Sequence, residues 1–435
     1  MGGAVAMMGE PAILERPLAR RESEFCERLF AVLRHATGDG VGITRESFGT
    51  GETRALAVVE RAARDAGLLT ERDAGANLVV TLPGSEPDLP FLACGSHLDS
   101  VPQGGNFDGA AGVIAGLAVL AGLKREGRRP RRTLKLYGLR GEESAWFGRA
   151  YMGSSALFGR LTADDLAAPH AVTGRPLGDC MRAAGADVDR ISSGEPLLDA
   201  QRVAAWIELH IEQGPVLVAR DRPVGIVTGI RGNIRHRRVE CRGEAGHSGA
   251  VPRALRQDSV FATAELITHL DSHWRALLEQ GRDLVVTSGM IGTDPSEHAL
   301  ARIPGKVGFS FEARSESRQT LEDFYGLFVT ECRDIATERG VQFTFDRRLE
   351  TSPAVMDAGW VQRLRDAASR LGLPDEPMAS GAGHDAAVFA NAGIPSAMIF
   401  VRNDHGSHNP HEAMEMSDFM AGVAVLREAL VQAAW

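Results

Sequence analysis

Cysteine is scarce and scattered in this chain of 435 residues: Cys26, Cys94, Cys180, Cys241 and Cys332 form no CxxC pair and leave an odd count. No disulfide framework follows from such a set, which suits a reduced, cytoplasmic protein. Long apolar runs are missing too. The longest, around Gly112–Leu123, falls well short of the ~18 residues that cross a bilayer. There is no excess of positive charge: 48 Lys and Arg face 57 Asp and Glu, a net charge of -9. General binding to nucleic acid or to an anionic membrane is therefore not expected. The opening MGGAVAMMGEPAILERPLARRE has a short apolar patch but neither the basic start nor the cleavage site of a secretory signal. Repeats and low-complexity segments are absent as well. What is present is an ordinary globular composition, 44% hydrophobic and 24% charged, with length for two or three domains at ~150 residues each.

Helical spacing of apolar residues in EFCERLFAVLRHAT and TRALAVVERAARDAG predicts helices near the start. NLVVTLPG and PFLACGSHLDS are short apolar runs bounded by Pro, Gly and Asn, hence strands. GAAGVIAGLAVLAGLKREG reads as a buried helix, TLKLYGLRGEES as a strand running into a loop, and WIELHIEQGPVL as another strand. Strands alternating with helices indicate an α/β domain with a largely parallel sheet. Between about Arg220 and Glu350 the texture changes. PVGIVTGI and NIRHRRVECRG, a helix over SVFATAELITHLDSHWRALLEQ, the strands DLVVTSGMIG and GKVGFSFEARS, a second helix and VQFTFDRR give a split strand–helix–strand–strand–helix–strand order, the two-layer α+β pattern of ferredoxin-like modules. The first pattern then returns. Residues 1–220 and 351–435 are expected to build one domain, with 221–350 inserted. Two basic clusters, Arg128–Arg132 and Arg235 with Arg237 and Arg238, read as a solvated helix end and an exposed strand face.

Several histidines sit at strand ends beside carboxylates and glycines. In CGSHLDSVPQGGNFDG, His97 and Asp99 lie two apart, a spacing that lets Asp99 hold the second ring nitrogen of a metal-bound His97. Asp108 follows in a Gly-rich loop; a capping Asp and a satisfied core His are the plainer alternative. Glu142 and Glu143 come directly after an apolar strand, and adjacent side chains point apart, so one can bind metal while the other faces substrate as a base. His210 lies within an apolar strand, with Gln213 three residues on, and His405, His408 and His411 follow the strand MIFV. Singly each signal is weak. Together His97, Asp108, Glu142 or Glu143, His210 and His408 all fall at or beyond strand ends, where α/β sheets build their crevice. Histidines and carboxylates without thiolate suit two divalent metal ions (Zn, Mn, Co or Ni), with one carboxylate bridging a dinuclear hydrolytic site.

The segments GSHLDSVPQGGNFDGAAGV, GEESAWF, ELHIEQGPVL, GEAGHSGAVP, SGAGHDAAVFA and GSHNPHE resemble the amidase, hydantoinase/carbamoylase family of aminoacylase-like dinuclear metallopeptidases. Its members include N-carbamoyl-L-amino acid hydrolases, allantoate amidohydrolases and yeast-type β-ureidopropionases. The resemblance runs from about Arg21 to Gln432. It implies a mixed-sheet, three-layer α/β catalytic domain with an inserted two-layer α+β ferredoxin-like domain serving as lid and dimerisation surface. It also implies His97, Asp108, Glu143, His210 and His408 as ligands, with Asp108 bridging and His97 and His408 or His210 and Glu143 completing the two halves. Glu142 would be the general base and Asp99 the support behind His97. Gln213, His247 and Arg314 become substrate groups: a guanidinium fork suits a carboxylate, and His247 would sit over a neighbouring subunit's metals in a homodimer. Without the family context, Arg314 reads as a strand-face partner of Glu312. His384, with Asp385, would line the cleft; His405 and His411 match no ligand position.

One departure bears on substrate. Relatives often carry Asn-x-x-Asn before an IPG turn, where SEHALARIPG has His298 and Ala301, and His298 is the candidate to take over a hydrogen bond. Arg402 and Asn403 ahead of His408 offer a further anion contact. The expected activity is hydrolysis of a linear amide or ureido C–N bond in a small carboxylate-bearing molecule, an N-carbamoyl-L-amino acid or an allantoate-like ureide. The rivals are an aminoacylase or dipeptidase, and a catalytically silent metal-binding protein, against which Glu142 argues because ligands alone would bind metal.

Overall fold

A computed structural model describes residues 17–435; residues 1–16, which hold most of the N-terminal apolar patch, lie outside the described residues. The chain divides into two compact units, one running to Thr228 and resuming at Met356, the other spanning Gly229–Val355. Numbered along the chain, the strands up to the division are β1 (Leu69–Arg72), β2 (Leu78–Leu82), β3 (Phe91–His97), β4 (Leu134–Leu139), β5 (Val203–Ile211) and β6 (Val224–Ile230), whose last two residues pass it. The small unit holds β7 (Gly232–Arg242), β8 (Gly246–His247), β9 (Val285–Thr287), β10 (Ile291–Gly292), β11 (Arg302–Ile303), β12 (Lys306–Ser315), β13 (Gln342–Phe345) and β14 (Leu349–Thr351). β15 (Ala354–Val355), β16 (Pro377–Ser380) and β17 (Ser396–Val401) complete the series.

The large sheet is mixed, in the order β1-β2-β4-β3-β5-β17-β6-β15, with β16 beside β6. Its middle is parallel, β4 to β3, β3 to β5 and β5 to β17, whereas β2 pairs antiparallel with β4 and β6 with β17. Parallel strands are covered on both faces and read as continuous apolar runs, which is why FLACGSH and SAMIFV are buried throughout. β5 shows the two faces. Ala205, Ile207, Leu209 and Ile211 join the core beneath helix Ala110–Arg125, while Trp206, between the first two, stacks on Phe389 of helix Asp385–Asn391 with ring centroids 3.8 Å apart. Helix Ala110–Arg125 is buried from Ala110 to Leu123 because it has no charge before Lys124 and is roofed by helices Pro17–Thr37 and Met416–Ala434. The apolar run of the sequence is thus the central helix of the large unit's core. Among the described residues no helix is long and apolar enough to cross a membrane. All five cysteines are buried and free.

In the small unit the antiparallel order is β10-β12-β7-β13. Helices Ser259–Glu279 and Arg318–Arg339 cover one face, around Val239, Leu266, Phe311, Phe324 and Phe328. β12 alternates buried and half-buried residues along KVGFSFEARS, as a sheet covered on one side requires. The Asp258 carboxylate caps the first helix by accepting from the Val260 and Phe261 amides at 3.1 and 3.2 Å. One boundary differs from expectation. PVGIVTGI, assigned by sequence to the insertion, forms β6 and pairs with β17 from Val224–Val401 to Val227–Met398. Its apolar pattern fits either sheet, and only the pairing partner decides. The division accordingly falls at Thr228/Gly229 and Val355/Met356 rather than at 220/221 and 350/351.

Gly112 sets the distance between the central helix and β5: a Cβ there would lie 2.2 Å from the Leu209 carbonyl oxygen. Gly112→Ala should therefore destabilise the protein by ~1–3 kcal/mol, the cost of overpacking a filled core. Urea denaturation measures it, and a wild-type midpoint would contradict this packing.

Candidate metal centre

The parallel strands bring the sequence-predicted residues to one edge of the sheet. β3 and β4 run in register with His97 opposite Leu139, so Glu142 and Glu143 follow three and four residues beyond that level. β3 and β5 pair Cys94 with Ile207; three residues further on each strand are His97 and His210. β17 places Phe400 opposite His210, and the loop after it carries His408. All these groups lie at the carboxyl ends of parallel strands, the usual position of an α/β crevice.

Asp108 stands at the centre. Its Oδ1 lies 3.4 Å from His97 Nε2 and 3.3 Å from His210 Nε2. Its Oδ2 lies 3.5 Å from His408 Nε2, which is 3.3 Å from Glu143 Oε1. Two donor groups result, His97–Asp108–His210 and Asp108–Glu143–His408, each with ligand atoms within 4.8 Å of one another and sharing Asp108. The halves therefore group His97 with His210 and Glu143 with His408, unlike either pairing suggested by sequence. Two of the histidines turn Nε2 toward Asp108: His210 Nδ1 faces the Ile211 carbonyl at 2.9 Å, with the Gly109 amide donating to Nε2 at 3.1 Å, and His97 Nδ1 faces the Asp99 carbonyl at 3.1 Å and Asp99 Oδ1 at 3.3 Å. Asp108 Oδ1 is buried without a hydrogen bond, a costly arrangement for a carboxylate oxygen unless a cation meets it. The donor set fits divalent metal in both groups.

Burial raises carboxylate pKa values here, and the imidazoles oppose it. Burial pushes Glu142 well above the ordinary carboxylate range; His97 pulls it down and Glu143 pushes it up. Burial pushes Asp108 up, but the adjacent imidazoles of His210 and His97 outweigh it and hold it well below the ordinary range. The hydrogen bond to Glu143 lifts His408 to about 9. His408 is also the open end of the set, with its side chain 53% exposed.

The profile of peptidase family M20/M25/M40 matches residues 93–432. The chain belongs to that family. This M20-family chain is 35% identical over 395 residues to an N-carbamoyl-L-amino acid amidohydrolase of Geobacillus stearothermophilus, covering 90% of this chain and 94% of the relative. It is 32% identical over 370 residues to an allantoate amidohydrolase of Escherichia coli (strain K12), covering 85% and 87%. A hydantoinase/carbamoylase family amidase from Burkholderia ambifaria superimposes with a TM-score of 0.83 at 31% identity, covering 95% of this chain and 98% of the other. The resemblance carried by the motifs is borne out.

Around the donors of this M20-family centre, Gln213 adopts a left-handed backbone (φ 63°) and donates from Nε2 to Asp108 Oδ2 at 2.8 Å. His384 is buried, its ring 4.5 Å from that of His210, with Nε2 2.9 Å from Ser380 Oγ; burial, then His210, holds its pKa well below the ordinary histidine value. Beside it, Asp385 takes the Ser154 hydroxyl at 2.5 Å. His247, His298 and Arg314 belong to the small unit. His247 is exposed on β8 opposite Arg302 of β11 and accepts from the Gly249 amide at 3.1 Å. His298 Nε2 lies 2.6 Å from Thr293 Oγ1, beside a cavity of about 390 Å³. Arg314 lies on β12 with Nη2 3.1 Å from Glu312 Oε1, the pairing its spacing suggested. Arg402 does not offer an open anion contact, because Asp418 and Asp221 hold its guanidinium at 2.7 and 2.6 Å. Asn403 instead accepts from the Gln213 amide at 2.9 Å. His405 and His411 join neither donor group.

Sequence reasoning placed Asp99 behind His97 and missed its larger task. Asp99 Oδ1 accepts from the Glu142 amide and Oδ2 from the Glu143 amide, both at 3.0 Å, and Ser47 donates to Oδ2 at 2.5 Å. One carboxylate thus orients an imidazole and the backbone of both glutamates. Ser47, Ser407, Glu52 and Glu412 were not singled out either, since isolated Ser and Glu carry no spacing signal. Glu52 is buried; it accepts from Arg140 Nε and the Gly141 amide at 2.5 and 2.8 Å and so fixes the turn into the glutamate pair.

Asp99→Asn places an amide group against donors that all need acceptors. It should lower metal affinity and turnover by ~10–100-fold, the usual cost of losing a partner behind a ligand. Metal content by mass spectrometry together with steady-state rates checks this; unchanged values would contradict the role.

Proposed function

We propose that this amidohydrolase uses two divalent metal ions to cleave a linear amide or ureido C–N bond in a small carboxylate-bearing substrate, an N-carbamoyl-L-amino acid or an allantoate-like ureide. The observation that carries the reading is Asp108, one buried carboxylate shared by two donor groups, with Glu142 beside them. His97 and His210 would hold one ion and Glu143 and His408 the other, Asp108 belonging to both; Zn, Mn, Co and Ni all suit these donors. When bound, the metals supply Lewis-acid polarisation of the scissile carbonyl and acidification of water.

The remaining work falls to the chain. Glu142 Oε2 lies 3.9 Å from His97 Nε2, among the donors but outside both groups. In this reading it takes the proton of the attacking water and returns it to the departing nitrogen. Burial raises its proton affinity above that of an ordinary carboxylate, the direction required of a group that takes and then returns a proton. Asp99 keeps the glutamate pair oriented, and Gln213 steadies Asp108 from the substrate side. We read the small unit as a ferredoxin-like module and assign it the roles of lid and homodimer surface. Arg314 then grips the substrate carboxylate, while His247, reaching a partner's site, supports the developing oxyanion. His298 and His384 complete the substrate contacts. The five free cysteines fit a cytoplasmic enzyme.

The deciding experiment is an ammonia-release screen of metal-reconstituted protein over carbamoyl amino acids, allantoate, ureidoglycolate and N-acyl amino acids, with a chelated control. Ammonia should appear from at least one ureido substrate and vanish on chelation. Cleavage of N-acyl amino acids alone would replace this reading with an aminoacylase. Glu142→Gln should keep its metal and lose at least ~10²-fold in turnover, whereas Glu143→Gln should lose metal; reversed behaviour would exchange their roles. Arg314→Lys keeps the charge without the fork and should cost at least ~10-fold in kcat/KM. That loss should shrink for a substrate whose carboxylate is an uncharged amide, and equal losses on acid and amide would leave Arg314 a structural partner of Glu312.

A further inference from the structure

The bridging position of Asp108 depends on a residue 304 positions away in the chain. Glu412 is buried, and its Oε1 accepts from the Phe107 and Asp108 amides at 2.7 and 3.2 Å. Ser407 Oγ stands between the two carboxylates, 2.8 Å from Glu412 Oε2 and in contact with Asp108 Oδ2; its one proton is donated to Asp108 when Glu412 carries a proton and donates to Ser407. Glu412 thus reaches Asp108 twice, through the backbone directly and through the carboxylate by way of Ser407.

The carrier of Glu412 is also the carrier of His408. Asp404 and Ala413 exchange backbone hydrogen bonds at 2.8 and 3.2 Å, closing residues 404–413 into one small loop that holds Ser407, His408 and Glu412 together. Fixing Glu412 to the Asp108 segment therefore fixes His408 relative to Asp108. The opposite segment is cut to receive it: a Cβ at Gly105 would fall 2.1 Å from Glu412 Cδ and Oε1. Buried Arg45 ties that segment down from the other side, donating to the Asn106 side-chain and backbone oxygens at 2.6 and 3.1 Å.

We propose that Glu412, seated in the notch left by Gly105, is a positioning residue that locks the His408 loop to the Asp108 segment and so assembles the Asp108–Glu143–His408 half of the metal centre. The inference rests on the two-metal reading above. It assigns the work to hydrogen-bond geometry rather than to charge: a glutamine at 412 can still accept both amides and can donate to Ser407, which remains free to donate to Asp108.

Cobalt(II) titration of the metal-free full chain, followed by visible absorption, tests it. Wild type should bind a first and a second equivalent. Glu412→Ala should keep the first and bind the second at least ~10-fold more weakly, as expected for a lost partner behind a ligand, while Glu412→Gln stays within about threefold of wild type. Gly105→Ala, which evicts the carboxylate from its seat, should reproduce Glu412→Ala, and the double variant should lose little more than either single one. If Glu412→Ala does not fold by circular dichroism, Gly105→Ala and Ser407→Ala carry the same comparison. Wild-type binding of both equivalents by these variants would overturn the proposal. So would a glutamine variant as defective as alanine, which would make charge the cause. Wild-type protein that binds no cobalt would overturn the two-metal reading itself, a failure separate from that of the lock.

Discussion

The constraint on which the site depends is one buried carboxylate asked to serve two donor groups. Asp108 can do so only if both oxygens are aimed, one at His97 and His210 and the other at Glu143 and His408, from a loop that has left the sheet. A carboxylate taken out of water in this way is unfavourable alone, and its Oδ1 keeps no hydrogen bond. The surrounding structure compensates by supplying donors from four chain segments and holding each segment by its backbone.

Rigid elements supply the coarse alignment. Parallel pairing of β4, β3, β5 and β17 sends four chain segments out at the same edge, and the strands' own register sets His97 level with His210. The central helix follows directly from the loop carrying Asp108, and Gly112 lets it lie against the strand that carries His210. Packing of the core and spacing of the candidate donor groups are thus one arrangement. A shift of this helix would move Asp108 relative to both histidines.

Buried acids supply the fine alignment, and each acts largely on backbone amides. Asp99 holds the amides of Glu142 and Glu143, Glu52 holds that of Gly141, and Glu412 holds those of Phe107 and Asp108. A carboxylate accepting from a fixed amide positions the following side chain without touching it, which leaves the donor atoms of that side chain available. The acidity of the region therefore divides into carboxylates that face the centre and carboxylates that brace the loops beneath it.

Much of this was legible in the chain itself. Continuous apolar runs such as FLACGSH and SAMIFV specify strands buried on both faces, and the charge-free stretch from Ala110 to Leu123 specifies a central helix, because burial demands composition whatever the partner. His97, Asp108, Glu143, His210 and His408 stood out as His and carboxylate side chains at strand ends, and the structure brings them into two candidate donor groups. Pairing partners were not legible. PVGIVTGI carries the same alternation whether it joins one sheet or the other, and only its hydrogen bonds to β17 give it to the large unit. Which histidine shares an ion-sized space with which carboxylate, the engagement of Arg402 by Asp418 and Asp221, and the reach of Glu412 across 304 positions likewise have no local signature. Sequence determined the elements and the chemistry available at their ends, since both follow from side-chain type. The tertiary structure decided which of those ends meet, since distance between remote segments is a property of packing alone.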